Sequence, residues 1–207
     1  MPNNIKESLN DSLIEDGYLK TPALIEAFRK VDRADFVHKD FKEYAYLNQP
    51  LPIGSDQTIS QPLTVAFMLE LLEPRAGEKI MDIGAGSGWQ AALLAQIVGE
   101  NGKIIAIERI PEIKAFAEAN LNKYPFKNIN LVLGDGSKGF SEEAPYDKII
   151  AAATAREISP AWQEQLKIGG RIVAPVKESI VVLDKVDQSH FVKKEYFGFD
   201  FVPLVKD

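Results

Sequence analysis

The stretch that most constrains the fold of this chain runs from Lys79 to Leu94 and reads KIMDIGAGSGWQAALL. A short apolar run with one acid, Asp82, is followed by three glycines on alternate positions and then by an Ala- and Leu-rich segment. This order predicts a β-strand, a tight glycine turn and an α-helix. Gly84, Gly86 and Gly88 allow positive φ and close approach of a ligand, and a helix start offers unpaired N–H groups. The turn therefore predicts a nucleotide-like ligand.

The spacing of the glycines separates two classes of such ligand. A dinucleotide fingerprint requires G-x-G-x-x-G, whereas the residue three after Gly86 is Trp89, so that the turn here is G-x-G-x-G. Asp82, at the mouth of the predicted turn, would repel a pyrophosphate and favours a ligand with a cationic end. S-adenosylmethionine (SAM), with a sulfonium and an ammonium group, has that character. The alternative for the turn alone is an ordinary βα connection whose glycines serve packing.

Two later acids fall at equivalent places in the predicted sheet. Glu108 follows the apolar run KIIAI about 20 to 25 residues beyond the glycines, where a βαβ unit places an acid for ribose hydroxyls. Asp135 follows the run INLVL in the turn GDG, where it could accept a hydrogen bond from an adenine amino group, although an Asp-Gly turn also forms without a ligand. The predicted cofactor-binding residues are Asp82, Gly84, Gly86, Ser87, Gly88, Glu108, Asp135 and Gly136.

Strands and helices alternate from residue 79 to residue 176. This alternation predicts an α/β fold with a mostly parallel central sheet, helices on both faces and ligands at the carboxyl ends of the strands. The fourth strand is predicted at Lys148 to Ala153 and the fifth at Arg171 to Val176. A helix at Pro160 to Leu166 and a turn at Gly169-Gly170 are predicted to precede the fifth strand.

The tail from Ile180 to Leu204 is rich in β-forming residues and predicts antiparallel edge strands. We expect one domain over the 207 residues. Residues 1–77 would form a helical, substrate-side region, and residues 78–207 would form a Rossmann-like core with the C-terminal strands.

Ahead of the core, the segment SDQTISQP carries two hydroxyl groups that flank one apolar residue. In an extended chain Thr58 and Ser60 point to the same side, and Ile59 lies between them. The simplest account is that Ser60 or Gln61 caps a helix from Pro62 to Leu72, which is compatible with a further role for the hydroxyls.

Composition excludes several function classes. The net charge of −6 argues against a basic face for nucleic acid. Cysteine is absent, which excludes disulfides, thiolate metal ligands and cysteine nucleophiles. With only His38 and His190, and no carboxylate cluster around them, we expect no metal centre. The sequence has no signal-peptide pattern and no run of about 18 apolar residues, so we expect a cytoplasmic protein without a membrane partner.

Several segments together, in order, resemble the protein-L-isoaspartate O-methyltransferase family. They run from about residue 20 to the C-terminus and read YLNQPLPIGSDQTISQP, MDIGAGSGWQAALLA, IERIPE, GDGSKG, APYDKII, QLKIGGRIVAPV and FVPL. A glycine turn alone is weak evidence, whereas LPIG followed by TISQP is specific to this family among SAM enzymes.

The resemblance implies a Rossmann-like, SAM-dependent methyltransferase. Its substrates would be isoaspartyl-containing proteins and peptides, methylated on the free carboxylate of L-isoaspartyl residues as an opening step of repair. The resemblance places the active-site serine at Ser60. Because Thr58 and Ser60 can both orient a carboxylate nucleophile, we also expect Thr58 to be a catalytic hydroxyl, with Thr58, Ile59 and Ser60 in contact with the substrate. We further expect a monomer that binds no nucleic acid.

The chain departs from the family pattern on the substrate side. It has Arg156 where the family commonly has a proline, and Lys177-Glu178-Ser179 where the family has a glycine-rich stretch. Two alternatives stay open: a SAM-dependent methyltransferase for a small molecule or nucleic acid, and a SAM-binding scaffold or sensor without turnover. The TISQP segment and the acidic balance oppose the first, and Ser60 opposes the second.

Overall fold

The computed structural model describes residues 2–199 and 201–204, and its N-terminal part leads from two helices through a short hairpin into a third helix. The bounds are α1 at Pro2–Glu15, α2 at Pro22–Lys30, β1 at Leu51–Gly54, β2 at Gln57–Ile59 and α3 at Pro62–Leu72. Proline at the first position of α2 and of α3 fixes φ where the helix needs no N–H donor. The hairpin and α3 stand next to the central sheet.

The central sheet has, in the described residues, seven strands and the helices that connect them. The bounds are β3 at Lys79–Ile83, α4 at Trp89–Val98, β4 at Lys103–Glu108, α5 at Pro111–Leu121, β5 at Ile129–Leu133, β6 at Tyr146–Ala151, α6 at Pro160–Gln165, β7 at Leu166–Val176, β8 at Ser179–Lys185 and β9 at Phe191–Phe197.

The strand order is β5-β4-β3-β6-β7-β8-β9. Strands β3 to β7 run parallel, and β8 and β9 add antiparallel at one edge, as the tail pattern predicts. The order reverses between β3 and β6. In open α/β sheets, ligands bind at the carboxyl ends of the strands at such a reversal.

Each face of the sheet has its own core because alternate side chains of a strand point to opposite faces. On one face Ile80 and Ile104 pack with residues of α3, α4 and α5. On the other face Met81 and Ile105 pack with Trp162 of α6. All five side chains are fully buried, and each aliphatic one contributes about 1.5–3 kcal/mol by leaving water. Helices therefore cover both faces, and the predicted fold class is confirmed.

The sheet differs from the prediction near α6. Strand β6 lies two residues earlier than the predicted Lys148 to Ala153. Strand β7 begins at Leu166 instead of Arg171, so α6 passes directly into it. The register of β6 and β7 shifts in this stretch, and the predicted turn at Gly169-Gly170 is a bulge inside the strand. Gly169 has a φ of +80°, which explains why the sequence resembles a turn.

The described residues hold no group of three or more His, Cys, Asp or Glu side chains that could bind a metal ion. Across residues 2–199 and 201–204, no helix is both long enough and apolar enough to cross a membrane. Several charged side chains form ion pairs with one another, such as the contact of Arg171 Nε with Asp184 Oδ1 at 2.6 Å.

Candidate active site

A cavity of about 420 Å³ opens at the carboxyl ends of the parallel strands, where the strand order reverses. Ligand pockets typically span roughly 300–1,000 Å³. The walls of this cavity come from the β1–β2 hairpin with the start of α3, from the glycine turn, from the ends of β4 and β5, and from the C-terminal segment. These walls bring together residues from distant parts of the chain.

The glycine turn is closed against strand β4. The amides of Gly84 and Ala85 donate to the Ile107 carbonyl oxygen at 2.9 and 3.0 Å. The Gly86 amide donates to Glu108 Oε2 at 2.9 Å. The amides of these three turn residues, which precede the helix start at Trp89, are therefore already paired within the chain. The turn offers a ligand space without Cβ atoms and no row of free donors, so a pyrophosphate would be poorly bound here.

Ser87 and Gly88 join the turn to α4 and differ in position. Ser87 is nearly buried, lines the cavity, and accepts a hydrogen bond at Oγ from the Trp89 amide at 3.4 Å. Gly88 does not line the cavity. It has a φ of +87°, and a Cβ there would lie 3.1 Å from Leu121 Cγ on α5. Gly88 therefore supports the turn from behind.

Glu108 lines the cavity with a carboxylate held in one orientation. Its Oε1 accepts from the amides of Arg109 at 2.9 Å and Ile110 at 3.0 Å, and its Oε2 accepts from the Gly86 amide. The side chain is nearly buried. A carboxylate has about four acceptor positions, so three amides leave one position on Oε2 for a ligand. Glu108 thus joins the end of β4 to the glycine turn.

Asp82 lies beneath the turn and not at its mouth. Its side chain has no exposed surface and does not line the cavity, which corrects the predicted position. Oδ1 accepts from Gln90 Nε2 at 2.7 Å, and Oδ2 has no hydrogen-bond partner in the described chain. Burial raises the pKa of Asp82 to about 7, the Gln90 hydrogen bond opposes the rise and the charge of Glu108 adds to it.

Gln90 is a cavity residue that the sequence pattern does not predict. It is nearly buried, lines the cavity and contacts Asp82, so it connects the buried acid to the ligand space. The available signal was a polar residue in the otherwise apolar first turn of α4.

The third predicted acid, Asp135, does not line the cavity. Its Oδ1 accepts from the Ser137 amide at 2.9 Å, and its Oδ2 lies 3.3 Å from Lys138 Nζ, so the carboxylate caps the short turn after β5. The next residue, Gly136, does line the cavity. A Cβ at Gly136 would lie 2.5 Å from Ile83 Cγ2, so only glycine fits.

The β1–β2 hairpin carries the residues predicted to contact the acceptor. Thr58, Ile59 and Ser60 all line the cavity, with the two hydroxyl residues half-buried. Neither hydroxyl forms a hydrogen bond in the described part of the chain. Gln61 is at the N-cap position of α3 and makes no side-chain capping bond there. The alternative that Ser60 caps this helix is therefore wrong, and both hydroxyls are available to a ligand.

The C-terminal segment, Phe201 to Leu204, lines one side of the cavity. The Thr154 amide donates to the Val202 carbonyl at 2.8 Å, and the Leu204 amide donates to the Thr154 carbonyl at 2.8 Å. Ala152 and Ala153, predicted as strand, follow β6 and line the cavity beside this segment. Nothing local in FVPL predicts this contact, because its partner at Thr154 lies far away along the chain.

Comparison with known proteins assigns the chain to a family. The family model described as protein-L-isoaspartate(D-aspartate) O-methyltransferase matches residues 3–207. The chain belongs to this family. The match covers the hairpin, the glycine turn and the C-terminal segment, and it confirms the resemblance drawn from the motifs.

Members of the family from other organisms match nearly the whole chain. The protein-L-isoaspartate O-methyltransferase of Methanopyrus kandleri is 41% identical over 205 residues, which cover 97% of this chain and 91% of the relative. The Ignicoccus hospitalis protein of the same name is 42% identical over 206 residues, which cover 98% of each.

Solved structures share the fold. One protein-L-isoaspartate O-methyltransferase superposes with a TM-score of 0.87 at 27% identity, covering 96% of this chain and 65% of that chain. A Plasmodium falciparum structure described as a beta-aspartate methyltransferase, in complex with S-adenosyl-L-homocysteine, superposes with a TM-score of 0.87 at 22% identity. That alignment covers 97% of this chain and 98% of that one.

The positions that depart from the family pattern lie outside the main cavity. Arg156 and Lys177-Glu178-Ser179 line a second cavity of about 720 Å³ beside β8 and β9. The ribbon Thr154-Ala155 lies between the two, with the Lys177 amide donating to the Ala155 carbonyl at 3.1 Å. The residues that depart from the family pattern are therefore separate from the glycine turn and from the segment Thr58 to Ser60.

Proposed function

We propose that this protein transfers a methyl group from SAM to the free carboxylate of L-isoaspartyl residues in damaged proteins and peptides. The observation that carries the proposal is a single cavity shared by the glycine turn, the Glu108 carboxylate and the hydroxyls of Thr58 and Ser60. Membership of the family supports the same reaction.

SAM fits the glycine-turn side of the cavity in shape and charge. Gly84 and Gly86 leave space at positive φ, and Glu108 keeps one acceptor position, which we assign to a ribose hydroxyl. SAM, when bound, supplies a methyl group on a positively charged sulfonium. We propose direct contacts from Gly84, Gly86, Ser87, Glu108 and Gly136, with Asp82, Gly88 and Asp135 supporting those residues from behind.

The acceptor side suits a nucleophile that needs no activation. An isoaspartyl α-carboxylate has a pKa of about 3.5 and is ionised at neutral pH, so no general base is required. The cavity lining contains no His, Lys, Cys or Tyr among the described residues. We propose that Thr58 and Ser60 donate hydrogen bonds to this carboxylate and that Ile59 packs against the substrate chain. The rate then depends on how well the carboxylate oxygen is aligned with the methyl group of SAM.

Methanol release is the experiment that tests the proposed function. The protein is incubated with SAM and an isoaspartyl peptide, esters are hydrolysed to methanol, and SAM binding is measured separately by calorimetry. We expect both binding and methanol. Binding with no methanol would favour the non-catalytic alternative, and turnover restricted to small molecules or nucleic acid would favour the other enzyme class. Failure to bind SAM would overturn the cofactor assignment.

We further propose that the protein acts as a cytosolic monomer without a nucleic-acid partner. The net charge of −6 supports the last point, because nucleic-acid binding relies on a basic surface. Analytical ultracentrifugation with and without added RNA measures both the oligomeric state and nucleic-acid binding.

A further inference from the structure

We propose that Arg33 is a positioning residue for the acceptor wall, the side of the cavity formed by Thr58, Ile59 and Ser60 of the β1–β2 hairpin. It clamps the base of the β1–β2 hairpin and thereby fixes the Ser60 hydroxyl for the methyl transfer proposed above, on which this inference rests. Arg33 does not line the cavity and acts through the chain that does.

Arg33 is 2% exposed, and its guanidinium donates to carbonyl oxygens at both ends of the hairpin. Nη1 donates to Ala45 at 2.5 Å and to Leu47 at 3.5 Å, while Nη2 donates to Gln49 at 2.9 Å and to Ser60 at 3.2 Å. The first three carbonyls precede β1, and the Ser60 carbonyl follows β2. One planar group therefore fixes where the hairpin begins and where it ends.

The bonding of Arg33 differs from that of a structural arginine in the same chain. Arg171 pairs with Glu73 at 2.7 Å and with Asp184 at 2.6 Å. Arg33 forms no ion pair with a carboxylate in the described residues, and a buried cation without a counter-charge is costly. The cation is instead directed at the backbone of the acceptor wall.

Arg33 also contacts the cofactor wall, the side of the cavity formed by the glycine turn and the start of α4. Its Cζ lies 5.5 Å from the ring centre of Trp89, the first residue of α4, which lines the cavity. The same side chain therefore touches the acceptor hairpin and the helix that follows the glycine turn. Methyl transfer is steep in the distance between acceptor and donor, and a displacement of about 1 Å can cost on the order of a hundredfold in rate.

The hairpin has a second anchor, so variants of Arg33 are expected to fold. Gln61 Nε2 donates to the Asn48 carbonyl at 3.0 Å, and the Leu63 amide donates to Asn48 Oδ1 at 3.0 Å. These bonds keep the hairpin attached to α3 when the guanidinium is changed. Losing Arg33 should loosen the wall without detaching it.

Arg33→Lys and Arg33→Gln test the inference. Arg171→Lys is the matched control, because Arg171 does not line the cavity. Both Arg33 variants should lower kcat for an isoaspartyl peptide by about 10- to 100-fold, while the Kd for SAM changes by less than about threefold. Lysine keeps the charge but not the fork, so it should restore part of the activity at most. The control should keep its kcat. A loss of SAM affinity as large as the loss of kcat would overturn the assignment.

A double-mutant cycle asks whether Arg33 acts through Ser60. In a Ser60→Ala background the hydroxyl is already absent, so Arg33→Lys should cost far less in kcat than it does in the wild type. The same fold-loss in both backgrounds would contradict action through Ser60 and overturn the inference.

Amide hydrogen exchange gives a readout that does not depend on turnover. Arg33→Lys should speed exchange in residues 45–61 and leave β4 and α5 unchanged. If the wild type methylates no isoaspartyl peptide but the exchange changes, the proposed function fails and the clamp stands. Unchanged exchange in 45–61 overturns the clamp. An active enzyme whose kcat is unaffected by both variants overturns the positioning role, whatever the exchange shows.

Discussion

Two groups of Ser60 have different roles. Its backbone carbonyl accepts a hydrogen bond from Arg33, and its hydroxyl is proposed to bind the acceptor. Ser60→Ala should lower kcat by about 10- to 100-fold, the scale of one hydrogen bond to a charged group, and leave the SAM Kd unchanged. Initial rates at saturating substrate and calorimetry measure the two quantities. Ser55→Ala, in the exposed hairpin turn, is the control and should keep its kcat. A lower melting temperature with unchanged kcat would remove Ser60 from catalysis.

The raised pKa of Asp82 should make the stability of the cofactor-free protein depend on pH. Its pKa is about 7 in the folded chain and about 3.9 when unfolded, so the folded state binds the proton more tightly. This contribution is fully present below about pH 4 and is lost as pH rises to about 7, by at most about 1.4 kcal/mol per pH unit.

Melting curves of the wild type and Asp82→Asn, at pH 5 and pH 8, check this prediction. The wild type should lose stability relative to Asp82→Asn on going to pH 8. Glu26→Gln is the control, because the hydrogen bond and charge of Lys30 lower the pKa of Glu26 and move its titration below this range. Parallel changes in the wild type and Asp82→Asn would show that Asp82 does not titrate there.

At the scale of the element, the glycine turn is the feature on which cofactor binding depends. Gly86→Val should abolish SAM binding, because Gly86 has a φ of +55° and lines the cavity, where a branched side chain would fill ligand space. Gly77→Val carries a similar backbone strain at a φ of +81° on the exposed loop before β3, and it should still bind SAM. Calorimetry on folded variants measures both. Wild-type affinity in Gly86→Val would place the cofactor elsewhere.

Elements with a local signal could be predicted from the sequence. The apolar runs and the glycines that bound them place β3, α4 and β5 correctly, because hydrophobic period and turn chemistry act over a few residues. The sequence predicts a turn at Gly169-Gly170 where the structure has a bulge, because glycine with positive φ occurs in both.

Site features that depend on distant contacts could not be predicted. The depth of Asp82 follows from packing on both sides of the sheet, the bond from Arg33 to Ser60 joins separate elements, and the closure by Phe201 to Leu204 needs the loop at Thr154. Thr58 and Ser60 both line the cavity, but so does Ile59 between them, and the roles of the two hydroxyls stay predictions.

At the scale of the whole molecule, the cavity joins a cofactor wall from the sheet to an acceptor wall from the N-terminal hairpin and the C-terminal segment. Two isomeric peptides probe this arrangement, because L-isoaspartate and L-aspartate have equal charge and composition and differ in where the carboxylate stands relative to the backbone. Discrimination must therefore come from geometry.

The most direct test of the account compares methylation rates for one peptide carrying L-isoaspartate or L-aspartate at the same position, across neutral pH. We predict a methyl ester on the isoaspartyl peptide and none on the aspartyl one, since about 1 Å of misplacement can lower the rate on the order of a hundredfold. The rate should be nearly flat through pH 6.5, because an ionised carboxylate needs no base. Equal rates for the two peptides, or no ester on either while SAM binds, would contradict it.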